Sequence, residues 1–289
     1  MIPGRFTYHR PGSVSEAVKL LASLGDDARP LAGGHSLIPM MKLRLAQPEH
    51  LVDLGRIAAL KGIRQDGGEI AIGAMTTQAE IIGSTLLAEK APILIEAAKV
   101  IADPQVRYLG TIGGNVANGD PGNDLPAVMI ALGASYVLRG PKGERSVKAE
   151  SFYSGPFTTA LASDEILTEI RIPVPARGHG YAYQKMKRKV GDYAIAGAAV
   201  VLTVQGGTCA SAVVALTNVG PTPIKVAAAT GALVGSKVDA AAIAKAASAA
   251  SAACDPASDL RGPAEFRRHV AGIMTRRAIE TALGRAKGG

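Results

Sequence analysis

The sequence predicts an α+β protein of three units: two N-terminal α/β units, then a C-terminal three-stranded antiparallel sheet with a helical bundle. Three observations carry this reading. Strand-like and helix-like segments alternate as far as Ile172. The stretch Pro173-Val174-Pro175-Ala176-Arg177-Gly178 has the composition of a linker. Beyond it, strand patterns come first and alanine-rich helical patterns follow, an order that suits α+β packing. The expected units are residues 1–55, 56–176 and 177–289. With 289 residues, 47% hydrophobic and 19% charged, the chain has material for two or three cores and is not disordered. No period of 20–50 residues recurs, which excludes a solenoid.

In the first unit, Ser13 is the expected cap of a helix with Val14, Ala17, Val18, Leu20 and Leu21 on one side, and Glu16 is placed for a capping box. That helix stops at Gly25-Asp26-Asp27. The run Arg29-Pro30-Leu31-Ala32 enters Gly33-Gly34-His35-Ser36, and a short helix is expected over 37–45. His50 to Leu54 reads as a strand that completes a β-α-β-type unit. In the second unit, Glu69 to Gly73 is strand material, and Thr77-Gln78-Ala79-Glu80 is a capping box before Ile81 and Ile82. Pro92 suits the first turn of a helix reaching about Ala102. A Gly- and Asn-rich segment, 110–124, then leads into an apolar helix from Leu125 to Leu132 that ends at Gly133. Strand-like segments run on to Ile172. In the third unit, Tyr181–Met186, Ala194–Val204 and Cys209–Thr217 read as strands, with Gly206-Gly207 as a hairpin turn. Helices are expected from about Thr222 to Ala286.

Two glycine pairs carry the chemistry. In Ala32-Gly33-Gly34-His35-Ser36 the backbone is free to approach a ligand and to adopt positive φ. Its N–H groups and the Ser36 hydroxyl, ahead of a helix, suit phosphate oxygens. Thr111-Ile112-Gly113-Gly114-Asn115 offers a hydroxyl, two glycines and an amide for the same task. One Gly-Gly pair is more often a plain tight turn; two pairs, each with a hydroxyl residue, favour a shared diphosphate. Asp124 is placed both to cap the helix at Leu125 and to accept from a ribose hydroxyl.

Other chemistries lack support. The G-x-G-x-x-G pattern is absent, Gly231 to Lys237 has the wrong spacing and order for a P-loop, and Ile38 stands where a hydrolase elbow needs glycine. The five histidines (His9, His35, His50, His179, His269) have no metal spacing, and neither do Cys209 and Cys254, which read as small apolar core residues. The formal charge of +8 invites an anionic partner, but 4% aromatic residues and no Trp argue against a nucleic-acid binder. The basic runs at 185–189 and Arg276-Arg277 read as solvated faces. No apolar stretch is long enough for a membrane span and no secretory signal opens the chain, so the expected location is cytoplasmic.

Taken together, Ala32 to Lys42, Thr111 to Asn115 with Asp120 to Pro126, and Lys185 to Ala194 resemble the FAD-binding medium subunit of molybdenum hydroxylases. The resemblance covers essentially the whole chain and is nearest to the flavoprotein subunit of aerobic, carbon-monoxide-dehydrogenase-type enzymes. It implies a three-domain flavoprotein of the molybdenum-hydroxylase (PCMH-like) type, with FAD bound between the first two domains. The attachment is expected to be non-covalent, because no histidine or cysteine stands where a covalent link is obvious. By position it assigns Leu31, Ala32, Gly33, Gly34, His35, Ser36, Leu37 and Ile38 to one phosphate cradle, and Thr111, Ile112, Gly113, Gly114 and Asn115 to the other. It further places Asp124 at the adenosine side or at a phosphate-linked water, and Asn118 in the same channel. Leu167 and Lys185 flank the flavin, with Gln184 as the alternative to the lysine, and Tyr193 brings an aromatic face to the ring.

The same resemblance implies no catalytic residue and no metal on this chain. It assigns molybdopterin to a large partner subunit and two [2Fe-2S] clusters to a small one, in a dimer of heterotrimers, with room for peripheral association at the inner face of the cell membrane. The chain would relay electrons through FAD to an external acceptor, the complex oxidising carbon monoxide or, as the alternative, an N-heterocycle, an aldehyde or an aromatic acyl thioester.

Overall fold

A computed structural model describes residues 2–287. Its strands fall into three main sheets. The first contains β1 (Thr7–His9), β2 (Ala28–Leu31) and β3 (His50–Asp53), all parallel, in the order β1-β3-β2. Parallel neighbours need crossovers. Helix α1 (Val14–Leu24) and the short helix α2 (Leu37–Lys42) supply them. Ser13 caps α1 by accepting from the Glu16 N–H, and Gly25 ends it at φ +59°. The Glu16 carboxylate departs from the expected capping box, because it takes the Gly12 N–H at 2.8 Å.

The second sheet is antiparallel throughout. Its strands β4 (Ile63–Asp66), β5 (Glu69–Gly73), β6 (Ser135–Gly140), β7 (Gly143–Lys148) and, after the small hairpin of β8 (Tyr153–Gly155) and β9 (Thr158–Thr159), β10 (Ile166–Pro173) stand in the order β4-β5-β10-β6-β7. Between β5 and β6 the chain makes six helices: α3 (Gln78–Gly83), α4 (Thr85–Lys90), α5 (Pro92–Val100), α6 (Pro104–Leu109), α7 (Ile112–Ala117) and α8 (Leu125–Ala131). Thr77 and Glu80 close the capping box of α3. Every residue of α8 is buried, as expected for a helix apolar on all sides.

The third sheet has strands β11 (Gly180–Met186), β12 (Ala196–Gln205), β13 (Thr208–Thr217) and a further two-residue strand, β14 (Ile224–Lys225), in that order. The sheet is therefore four-stranded, where three strands were expected; the start of the anticipated helical region pairs with Ala215 and Leu216 before turning helical. Gly206 and Gly207 both have positive φ, 56° and 80°, as a two-residue hairpin turn of the primed kind requires. Helices α9 (Ala227–Leu233), α10 (Ala240–Ala252) and α11 (Ala264–Lys287) follow.

Strand alternation lets the third sheet serve two cores. Tyr183, Ala199 and Ala215 join the apolar cluster of the second sheet and α8. Ala182, Ala198, Val200, Val214 and Leu216 face α9 to α11. Arg285 of α11 crosses to the second unit, donating to Glu96 of α5 at 2.5 Å with its guanidinium over the Tyr181 ring.

Candidate functional site

A cavity of about 600 Å³ is walled by the β2–α2 bend, the first turns of α3 and α7, the start of β10, and the segment from Lys185 to Tyr193. The two glycine pairs meet here. A Cβ on Gly33 would lie 2.2 Å from the Leu109 carbonyl oxygen, and one on Gly114 would lie 3.3 Å from the Ala32 Cβ. Gly34 holds φ at +75°, the left-handed region open to glycine. Gly33 is thus needed for backbone to meet backbone, and Gly114 for a close approach to the Thr111 and Ala32 side chains.

From the first segment, Leu31, Ala32, Gly33, Gly34, His35, Ser36 and Leu37 line the cavity. Ile38 does not; its Cγ1 packs over Gly34. Ser36 stands at the cap of α2 without a side-chain capping bond. From the second segment, Thr111, Gly113, Gly114, Asn115 and Asn118 line the cavity, while Ile112 is fully buried behind the wall. This segment differs from the open loop expected: it is the first turn of α7 itself. Thr111 caps that helix, its Oγ1 accepting from the Gly114 N–H at 3.0 Å. The hydroxyl keeps its own proton to donate.

Asp124 also departs from expectation. It stands before α8 with helical φ and ψ and makes no capping bond. Its carboxylate accepts instead from Lys185 Nζ at 2.7 Å and from the Tyr183 hydroxyl. The pair is deeply buried, with side-chain exposures of 3% for Lys185 and 5% for Asp124. Burial raises the Asp124 carboxyl above its ordinary range, and the charge and hydrogen bond of Lys185, then the Tyr183 hydroxyl, oppose that rise only in part. Both Asp124 and Lys185 line the cavity. Gln184, the alternative to the lysine, is not a lining residue; β-strand alternation sends neighbouring side chains to opposite faces.

Leu167 lines the cavity from β10, beside a register shift between Leu167 and Glu169. Tyr193 lies over Gly122, where a Cβ would come within 2.6 Å of the ring. Arg261 stands 5.2 Å from the ring centroid, and Asp192 accepts from Arg188 at 2.9 Å. Partial burial, then the Asp120 carboxylate, pushes the Tyr193 phenol up to about 12. Glu165, also lining the cavity, is gripped through both oxygens by Arg145, at 2.7 and 2.6 Å. The Arg145 hydrogen bond holds the Glu165 carboxyl below its ordinary range.

The wall contains two buried side-chain acceptors with no partner: Asn115 Oδ1 and Gln78 Oε1. Each unpaired acceptor costs about 1–3 kcal/mol until a donor arrives. Gln78 was recognised in the sequence only as part of a capping box. The cationic groups at the wall are Arg29 and Lys185, with the His35 imidazole and apolar Leu161, Ile166 and Leu167 alongside. Glycine backbone, hydroxyls, unpaired acceptors and an apolar flank together fit a dinucleotide: phosphates against main chain, hydroxyls against amides, an aromatic ring against aliphatic surface. Within the described residues no group of three or more metal-ligating side chains occurs.

Known proteins with this arrangement are close at hand. Residues 4–175 match the family described as the FAD binding domain in molybdopterin dehydrogenase, and residues 181–282 match the CO dehydrogenase flavoprotein C-terminal domain. The carbon monoxide dehydrogenase medium chain of Afipia carboxidovorans is 60% identical, covering 99% of this chain and 100% of its own length. The glyceraldehyde dehydrogenase medium chain of Sulfolobus acidocaldarius is 37% identical, over 97% of this chain and 99% of that one. Among solved structures, a chain of the Cu,Mo-CO dehydrogenase in its cyanide-inactivated form superposes with a TM-score of 0.97 at 60% identity, covering 99% of this chain and 100% of that one.

Proposed function

Because this chain belongs to the FAD-binding flavoprotein chains of the molybdopterin dehydrogenases, we propose that it is the electron-relay subunit of a complex that oxidises carbon monoxide. One observation carries the choice of substrate: 60% identity along the entire length to a carbon monoxide dehydrogenase medium chain, against 37% to an aldehyde-oxidising relative. Carbon monoxide and water give carbon dioxide, two protons and two electrons. Bound FAD supplies the means to accept electrons singly and to pass on two.

The residues of this chain bind and orient that cofactor. The main chain at Gly33 and Gly34 would hold the diphosphate. The N–H groups of Gly113 and Gly114 are donated to the Ala74 carbonyl oxygen and Thr111 Oγ1, so that segment would contribute a close-approaching backbone wall. Ser36 and Thr111 would donate to the diphosphate oxygens. The Asn115 amide meets a hydroxyl of the dinucleotide. Lys185, held by Asp124, sets a positive charge near the ring. Leu167 would flank the flavin and Tyr193 would bring an aromatic face near it, both helping to exclude water. Asp124 thus acts on the ring through Lys185, and with one hydrogen bond on each oxygen its carboxylate keeps lone pairs for the adenosine side or a phosphate-linked water. The cofactor lies between the first two of three domains, residues 1–55 and 56–176, with 177–289 as the third.

The chain works in a complex with a small iron–sulfur and a large molybdopterin subunit. We place it in a dimer of heterotrimers in the cytoplasm, docked in part through its net charge of +8 and with room for contact at the inner membrane face. No helix among the described residues is long and apolar enough to cross a membrane. The test is a visible spectrum of the purified complex before and after heating, with the released chromophore identified. FAD freed by heat, together with dye reduction driven by carbon monoxide, is the expected result. A complex that releases no FAD on heating refutes the cofactor; an FAD-containing one indifferent to carbon monoxide refutes the substrate.

A further inference from the structure

We propose that Gln78 is a further cofactor-binding residue, its side-chain carbonyl accepting a hydrogen bond from a sugar hydroxyl of the dinucleotide beside the diphosphate. This rests on the FAD reading above. Gln78 is the first residue of α3, and its N–H donates to the Gly110 carbonyl at 2.9 Å. An isolated bridge between Thr77 and Thr111 fastens the same turn to the start of α7. The side chain folds over Gly110: a Cβ there would lie 3.2 Å from Gln78 Oε1 and 3.3 Å from Nε2. Gln78 is only 3% exposed, it lines the cavity, and its Oε1 has no partner.

A glutamine buried for structural reasons would have its carbonyl bonded within the protein. Thr76, two residues earlier and 1% exposed, meets that standard, exchanging hydrogen bonds with both the N–H and the carbonyl of Gly62. Gln78 does not meet it. An acceptor needs a donor, and the deprotonated diphosphate has only acceptors to offer. The hydroxyls of the ribityl chain and the ribose flank the diphosphate and can donate. Gly110 follows Leu109, whose carbonyl closes on Gly33, so the Gln78 amide sits beside the seam where the two glycine segments meet. At that place a hydroxyl next to a phosphate is the donor within reach.

The experiment uses the assembled complex, stripped of FAD and titrated with it, in wild type and Gln78→Met. Methionine matches the shape and removes the orphan acceptor. We expect the FAD dissociation constant to rise roughly 5- to 100-fold, while the flavin-free full chain melts no lower than wild type. FAD analogues each lacking one ribityl or ribose hydroxyl complete the test: one of them should bind wild type and Gln78→Met equally. Unchanged FAD affinity in the variant overturns the inference, as does a loss matched by an equal fall in flavin-free melting. If every deoxy analogue binds wild type as tightly as FAD does, the inference is overturned however the variant folds. Wild type that takes up no FAD at all refutes the cofactor reading itself; wild type that binds FAD beside an indifferent variant refutes only the role of Gln78.

Discussion

Replacing Lys185 by methionine isolates the energetics of the buried pair. Lys185 and Asp124 are 2.7 Å apart at side-chain exposures of 3% and 5%, so water screens neither. Removing one partner of such a pair leaves an uncompensated buried charge, which costs about 3–5 kcal/mol. The loss depends on pH. Asp124 already has a folded-state value above its unfolded one, because burial outweighs its partners, and deleting the lysine raises it further. In the window between the unfolded and folded values the native chain binds more protons than the unfolded chain, so stability falls as pH rises through it. The wider window of the variant makes its deficit largest near pH 8 and smallest near the unfolded carboxylate value. Urea unfolding of the flavin-free chain at several pH values measures this. Asp124→Asn added to Lys185→Met should recover most of the loss, because an amide oxygen still accepts from Tyr183 and no charge is stranded. A deficit below about 1 kcal/mol at pH 8, or one independent of pH, would refute the reasoning.

Further outcomes follow from single contacts. Gly34→Ala forces a Cβ into left-handed backbone at φ +75° and to 3.2 Å from Ile38 Cγ1, costing about 1–2 kcal/mol and lowering the FAD content of the purified complex. Gly33→Ala should be harsher, since its Cβ would lie 2.2 Å from the Leu109 oxygen; loss of bound FAD should come with a lower melting temperature. Arg145→Gln should cost only about 0.5–1 kcal/mol, because Arg145 is 45% exposed. Glu165 is held below its ordinary value, so that contribution is present above the unfolded glutamate value and disappears as pH falls through the folded one, which melting curves at pH 7 and pH 3 will show. Assembly with the partner subunits should weaken with added salt if the net charge steers docking; salt-insensitive gel filtration would exclude that role.

Local signals were readable wherever a residue acts on its immediate neighbours. Ser13, Thr77 with Glu80, Pro92 and Gly206-Gly207 each determine a cap or turn within four positions, and the structure contains those caps and turns. The pair Asp103-Pro104 carried an equally local signal for α6, a capping aspartate before proline, that went unread. Strand β1 gave none, because its three residues are ordered by a partner 43 positions away, Thr7 against His50. The helix α7 was hidden by its own glycines, which disfavour helix except where packing against Ala74 and Ala32 requires small residues. Asp124 looked like a cap because sequence shows the helix after it and not Lys185, 61 positions on, which claims its carboxylate. The cavity's glycines and hydroxyls were legible as chemistry. Lys185 was not, since its basic run read as a solvated face and only the resemblance marked it, whereas its side chain is 3% exposed against Asp124. Nor was Gln78, since only the closure of α3 on Gly110 brings its amide there.

The seam at Gly33 and Leu109 has a mechanical meaning. The first sheet and the helical layer touch there through bare peptide groups, with no side chain to act as a compressible spacer. Such a joint leaves no room for a side chain on its glycine side. A dinucleotide laid across it would act as a rivet, and any partner that nudged either side would alter how firmly the rivet is held.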